Sequence, residues 1–426
     1  MQKKCFVISW YFPPINSSEG LCTYKLLKNS KYKYDVYTQG CNLEWTYGNN
    51  ATFDIPNNIS VIRSSKNDKK QWEDEVYKYY LNNYEKYDVI MSRSNEPEAH
   101  DIALKIKKKF PNIVWIASFG DPISTNPYNN LYKKKSPYSI RGNDVFSQSI
   151  FKILSPKRIL KNIWWNYKNK KYIITKTRYY KNIKTEKNTI LYADKLIFNN
   201  EYQMNHMINN YSNDIKEKCY IIPHSYDLSF YNRTPNKLNK TSFINMAYLG
   251  HFDNDRTPIQ ILKAICKLKN NNPGLYKKLK LNIYGDMSDN DKIYILEHQL
   301  FDCVSFHNPV DYFTSLKIMC ESDILLSVDA NLAKYVDNNI FYAAKIADYL
   351  GANKPILCVT MQNGISSDIV RNAGGIVSSY SENEIYILLV SILDGSYKFN
   401  INTKYIEDFN IKKVIKKFDN IIRNER

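Results

Sequence analysis

The sequence predicts an α/β protein built from two doubly wound halves that face each other across a cleft. Three observations carry this expectation. At 426 residues the chain is long enough for two or three domains with full cores. Short apolar runs of strand length alternate with helical stretches, the rhythm of βαβ units on a parallel sheet. That rhythm stops at a polar stretch, 231–241, which contains Pro235, and then restarts. Two such halves place a ligand in the crevice beyond the carboxyl ends of their strands.

Taken in order, Cys5–Trp10, Tyr34–Tyr37, Ser60–Arg63, Val89–Ser92 and Val114–Ser118 read as apolar strands. Helical patterns lie between several of them, over Leu21–Lys28, Asp74–Asn82 and Glu96–Lys109. A basic segment, 129–187, carrying tryptophans and tyrosines on long helical patterns, interrupts the alternation. Strands resume at Lys195–Asn199 and Tyr220–Pro223. The second half reads as strand Ile244–Leu249, helix Pro258–Lys269, strand Lys280–Tyr284, helix Asp291–Leu300, strand Val304–His307, helix Tyr312–Glu321 and strand Ile324–Val328. A helix over 341–350, stopped by Gly351, precedes strand Ile356–Val359, and a further helix spans Glu382–Leu393. An amphipathic helix at about Ile411–Arg423 closes the chain. The expected organisation is a first domain over 1–230, a linker over 231–241, a second domain over 242–400, and a C-terminal helical segment, 401–426, packing back toward the first domain.

Composition excludes several classes. No apolar run approaches the roughly 18 residues that span a bilayer. The N-terminal lysines and apolar run end in Pro13-Pro14 without a small-residue cleavage site, so a first strand is the better reading and a cytoplasmic location is expected. Eight cysteines without a C-x-x-C pair and six scattered histidines point to neither a disulfide framework nor a zinc site, and no metal or other cofactor is expected. The net charge of +18 is uneven: between Pro127 and Asn188, sixteen Lys/Arg oppose only Asp144 and Glu186. Cations mixed with Trp, Ile and Leu suit a helix lying on an anionic lipid surface. Basic residues between aromatics also bind nucleic acid, but no recognition motif for it is present. A solvated basic face is the plain alternative.

Two segments carry the chemistry. Lys345 and Asp348 lie three residues apart on the predicted helix and so share a face. A cation beside an acceptor is what a phosphate next to a sugar diol requires; a surface ion pair is the competing explanation. Upstream, Tyr248-Leu249-Gly250-His251 ends a strand in a glycine loop, and Arg256 stands just before a helix opened by Pro258. Helix N-termini bind anions, and arginine makes bidentate contacts to phosphate. An ordinary strand–loop–helix turn with a solvated arginine explains the same pattern.

Together these segments resemble the donor half of GT-B glycosyltransferases, specifically glycosyltransferase family 4. The resemblance implies two Rossmann-like domains, with Gly250, Arg256 and Lys345 holding a donor diphosphate and Asp348 holding the nucleotide ribose. His251 stands where the family usually has arginine, and Ile340 where it has a second glutamate, eight residues before Asp348. Phe12-Pro13-Pro14 through Gly20 resembles the family's first strand and glycine loop, which implies that Gly20 lets backbone approach the phosphates. Ser92-Arg93-Ser94-Asn95-Glu96-Pro97-Glu98-Ala99-His100, followed by Phe119-Gly120-Asp121-Pro122, is similar to an "S-x-P-x-x-x-H … D-P-W" pattern. Ile221-Ile222-Pro223-His224-Ser225-Tyr226-Asp227 resembles the "I-P-N-G-x-D" loop. The family's loop at Asp121 faces the acceptor, so a carboxylate there would orient or deprotonate the acceptor hydroxyl; a turn initiated by Asp121-Pro122 is the alternative. His100 reads as a structural histidine.

The expectation is a metal-independent transferase, retaining by resemblance, moving a sugar from a nucleotide-sugar donor to a glycan or lipid-linked acceptor. Its setting would be surface polysaccharide assembly at an anionic membrane face. The competing expectation is a non-catalytic α/β protein binding anionic membrane or nucleic acid through its basic segment.

Overall fold

Strands rich in Val, Ile, Phe and Tyr, buried on both faces, need helices above and below them, and this sequence supplies those helices. The computed structural model describes residues 3–15, 17–40, 53–65, 68–93, 96–128, 176–231, 242–253 and 256–423, with 156, 160 and 161. Most of the predicted basic segment and the predicted linker from 232 onward therefore lie outside the described residues.

The first sheet collects β1 (Lys4–Ile8), β2 (Lys33–Thr38), β3 (Ile59–Arg63), β4 (Val89–Arg93), β5 (Val114–Ser118), β6 (Lys195–Phe198) and β7 (Cys219–Ile221). Its order is β3-β2-β1-β4-β5-β6-β7, with every pairing parallel. The connecting helices are α1 (Ser18–Asn29), α2 (Lys69–Leu81), α3 (Pro97–Lys109), α4 (Lys176–Tyr192) and α5 (Glu201–Ile208). Ser17 caps α1, its hydroxyl accepting from the Gly20 amide at 3.0 Å, with Glu19 in the first turn and Lys28 in the last. Pro97 opens α3 where a missing N–H costs nothing.

The second sheet repeats the plan with β8 (Ile244–Leu249), β9 (Leu279–Tyr284), β10 (Val304–His307), β11 (Ile324–Val328), β12 (Ile356–Val359) and β13 (Ile376–Ser378), in the order β10-β9-β8-β11-β12-β13 and again parallel. Around it lie α6 (Ile259–Asn271), α7 (Asp289–Glu297), α8 (Tyr312–Glu321), α9 (Ala344–Ala352), α10 (Ile365–Asn372) and α11 (Glu382–Leu393). In each sheet the strand order reverses at the pair β1/β4 or β8/β11, the switch point where doubly wound sheets bind ligands.

The chain returns to the first domain through α12 (Ile411–Arg423), which buries Val414, Ile415, Phe418, Ile421 and Ile422 and leaves its lysines outside. Asp419 accepts from Ser30 Oγ at 2.5 Å, and Lys3 donates to the Ile422 carbonyl at 3.1 Å. One continuous apolar core joins Tyr24 and Leu27 of α1 to Tyr226, Tyr231, Tyr342 and Tyr349.

Three local differences from the sequence expectation have physical causes. The helix expected over 341–350 begins at Ala344, because Asn339 pairs with Gly364 in an isolated bridge and its side chain accepts from the Phe341 amide at 3.0 Å. The helix runs through Gly351 and stops at Asn353, which is left-handed at φ 55°. Gly351 is there for space, since a Cβ at that position would lie 2.7 Å from Tyr226 Cβ. The sequence reading also missed α5, α10 and β13, elements of only eight, eight and three residues.

No described helix is long and apolar enough to cross a membrane. Within α4, the described end of the basic segment, Lys181 turns toward the body of the protein, 3.6 Å from Glu98 and 3.5 Å from Asp101. Glu186 accepts from the Ile123 and Ser124 amides at 2.7 and 2.8 Å. Part of that positive charge is thus matched by the first domain's own acids.

Candidate active site in the interdomain cleft

A cavity of about 570 Å³ opens between the carboxyl ends of the two sheets. The second domain lines it with Gly250, Asp253, Arg256, Gly285, Asp329, Lys345 and Asp348, and the first with Glu19, Lys25, Arg93, Asp121 and His224. Of the residues singled out in the sequence, the cavity gathers Asp121, Gly250, Arg256, Lys345 and Asp348. Gly20 stands apart: its amide is committed to the Ser17 cap, and a Cβ on it would meet the backbone of Tyr11 and Phe12 at 3.1 Å. Its missing side chain serves the close approach of α1 to the loop after β1.

The Gly250 backbone brings two elements together. It holds φ +142°, and a Cβ there would lie 2.7 Å from Lys345 Nζ. Gly285, at φ +145°, lets the end of β9 pass against the Gly250 carbonyl group. Lys345 is partly exposed as a residue, yet its ammonium nitrogen is buried, has no hydrogen-bond acceptor, and lies 4.1 Å from the centroid of the Tyr248 ring. Burial, and after it the neighbouring charge of Arg256, pull that ammonium down to about 7, with Asp329 opposing them. Arg256 likewise has a buried Nε without an acceptor, while its backbone N–H donates to Asp253 Oδ1 at 2.8 Å. Asp329, at the end of β11, accepts from Asn339 Nδ2 at 2.9 Å and Thr360 Oγ1 at 2.8 Å.

Asp348 meets the first domain. Its Oδ1 lies 2.6 Å from Lys25 Nζ and accepts from Tyr312 Oη at 3.0 Å, and Lys25 also donates to the Ser225 carbonyl at 3.1 Å. Both side chains of this pair are almost wholly buried, at 2% and 6% exposure. Neither of these contacts involves Oδ2.

On the first domain's wall, burial raises the Asp121 carboxyl, with His224 and Arg256 opposing the shift. Burial lowers the His224 imidazole to about 3, assisted by Arg93 and opposed by Asp121, so it stays neutral at ordinary pH. The His224 ring packs on Tyr342 at 4.9 Å. His100 lies in the core, its Nδ1 2.8 Å from Ser92 Oγ, which also accepts from Trp115 Nε1 at 2.8 Å. That network ties the start of α3 to β4 and β5, a structural role for His100. Ile340 is buried, and its carbonyl accepts from Asn200 Nδ2 at 3.0 Å. His251 pairs with Asp286 at 3.2 Å.

Lys25, Arg93, His224 and Asp329 were missed as site residues. Arg93 and His224 sat inside motifs read for their neighbours. Lys25 carries no sequence signal, since its partner lies 323 residues away. Among the described residues, no three His, Cys, Asp or Glu side chains form a group able to hold a metal ion.

The arrangement presents two cationic groups with open hydrogen-bonding capacity on one wall, and a carboxylate beside a neutral imidazole on the other. Such a cleft is suited to holding a diphosphate and aligning a hydroxyl against it.

No protein-family model and no curated protein sequence matches the chain. Solved structures do match it along its whole length. Anabaena HepE in complex with UDP and glucose superimposes with a TM-score of 0.62 at 11% identity, over 99% of this chain and 100% of that one. Sucrose-phosphate synthase from Thermosynechococcus elongatus gives 0.65 at 13%, over 99% and 98%. WaaG, a glycosyltransferase involved in lipopolysaccharide biosynthesis, gives 0.54 at 12%, over 99% and 100%. Two Rossmann-like parallel sheets closing on a polar cleft therefore give this chain the GT-B, glycosyltransferase-like fold.

Proposed function

We propose that the protein is a glycosyltransferase that moves a sugar from a nucleotide-sugar donor to a glycan or lipid-linked acceptor in bacterial surface polysaccharide assembly. The observation that carries this reading is the convergence of Lys345 and Arg256 in one cavity, each with a buried nitrogen that lacks an acceptor. A donor diphosphate supplies the missing acceptors and neutralises both charges. As the sugar–phosphate bond breaks, the two cations stabilise the charge that develops on the leaving group.

Gly250, without a side chain, lets the diphosphate sit against Lys345. Asp348 offers its second carboxylate oxygen to the ribose hydroxyls while the first holds Lys25. Asp121, made more basic by burial, orients or deprotonates the acceptor hydroxyl. The family resemblance implies retention of configuration and a family 4 relationship. The exposed side chains of Tyr180, Ile183, Leu191 and Tyr192 on α4 are compatible with a peripheral position at the inner face of the membrane.

Calorimetric titration with uridine and guanosine diphosphates tests the donor site. Lys345→Met and Arg256→Gln should each weaken binding about ten- to hundredfold, the loss of a charge-assisted hydrogen bond. Unchanged affinity in both variants would refute the assignment. Sugar-transfer assays with candidate donors separate the enzyme from a non-catalytic binder.

A further inference from the structure

The donor reading uses Lys345 and Arg256 but leaves a further buried cation unexplained. Arg93 ends β4 on the first domain's wall of the cavity and is 5% exposed. Its Nη1 donates to Ser118 Oγ at 2.9 Å, directly across the β4–β5 register, and its Nε is buried without an acceptor. Among the described residues, no carboxylate lies within ion-pairing distance of it. Lys25, on the same wall, is already neutralised by Asp348.

A guanidinium withdrawn from water with one neutral hydroxyl as partner is costly unless a ligand brings the counter-charge. Arg256 is the cation that depresses Lys345, whereas Arg93 and Lys25 are those that depress His224. Arg93 therefore shares the first domain's wall with His224 and Asp121, whereas Lys345 and Arg256 come from the second domain's wall.

We infer that Arg93 binds an oxyanion carried by the second substrate, so that the acceptor is an anionic sugar bearing a phosphate or carboxylate group. This rests on the glycosyltransferase reading for the word acceptor, though not for the existence of the anion site. With its oxyanion on Arg93, an acceptor would be anchored on the first domain beside Asp121, leaving a hydroxyl to face the donor.

The test titrates glucose 6-phosphate, glucuronic acid and neutral glucose into the full-length protein, with and without saturating nucleoside diphosphate. At least one of the two anions should bind ten times more tightly than glucose, and Arg93→Gln should remove that advantage while leaving nucleoside diphosphate affinity within twofold. Arg93→Lys, which keeps the charge but loses the planar fork, should retain part of it and decides the matter if the glutamine variant does not fold. Equal affinity for the three sugars, an unaffected preference in the variants, or a nucleotide loss matching that of Arg256→Gln overturns the proposal. Failure of nucleoside diphosphate to bind the parent protein would instead sink the donor reading, because the titrations without nucleotide still report on Arg93.

Discussion

At the scale of single residues, Lys345 is the most sensitive reporter of the site. Its ammonium is depressed to about 7 by burial and by Arg256, so a fraction of the unliganded protein holds it neutral at pH 7. A bound diphosphate favours the charged form and raises that pKa. Lys345 is charged with or without ligand below about pH 6 and adds no pH dependence there. Above about 7 the free protein must take up a proton to bind, and affinity falls by up to about tenfold per pH unit until the complex itself titrates. Measuring nucleoside diphosphate affinity from pH 6 to 9 for the parent and for Lys345→Met isolates this effect from the ligand's own ionisation. The ratio of the two affinities should shrink as pH rises, and a constant ratio would show that Lys345 does not change charge on binding. Cations next to glycine loops and helix starts announce themselves in a sequence, which is why Arg256 and Lys345 were legible as residues that line the cleft. Gly20 was legible as a required glycine, but the need is for helix packing. A local motif states that a small residue is needed without saying what fills the space.

Among the elements, most strands and several long helices were readable to within a few residues of their ends, because central strands of a parallel sheet are apolar runs. By contrast, α2 starts at Lys69, five residues before the expected Asp74. Ile244–Leu249, Val304–His307, Tyr312–Glu321, Ile324–Val328 and Glu382–Leu393 match the expectation residue for residue. The start and stop of α9 were not readable, because tertiary contacts set both. Gly351 sharpens the point. Alanine there would gain up to about 1 kcal/mol in helix propensity, but its Cβ would press on Tyr226 and on the Tyr231 hydroxyl, which donates to the Asp348 carbonyl at 2.7 Å. Overpacking against two fixed aromatic side chains costs about 1–3 kcal/mol and outweighs the propensity. Gly351→Ala should therefore lower the melting temperature by scanning calorimetry, and a rise would show that the tyrosines can move aside.

For the molecule as a whole, the Lys25–Asp348 pair is the contact that no local pattern could reveal, since it joins α1 to α9 across the cleft. Removing one member leaves a buried charge unpaired, so Lys25→Met should destabilise the protein by about 3–5 kcal/mol in urea unfolding. Replacing both, as Lys25→Met with Asp348→Leu, should recover most of that loss. If the double variant were as unstable as the single one, the lost stability would come from lysine packing, not from the stranded carboxylate. Further links between the lobes run from Asn200 to the Ile340 carbonyl, from Tyr202 Oη to Asp368 at 2.6 Å and from Tyr342 Oη to the His224 carbonyl at 3.3 Å.

The return of the C-terminal segment adds a mechanical consequence. Where the chain comes back, the Tyr226 amide donates to the Phe409 carbonyl at 3.0 Å and the Ile411 amide to the Tyr226 carbonyl at 2.9 Å, so outgoing and incoming polypeptide are riveted side by side. Tyr226 and Asn410 thereby form an isolated parallel bridge, a seam that ties the closing segment to the end of the first domain independently of the side chains that span the cleft.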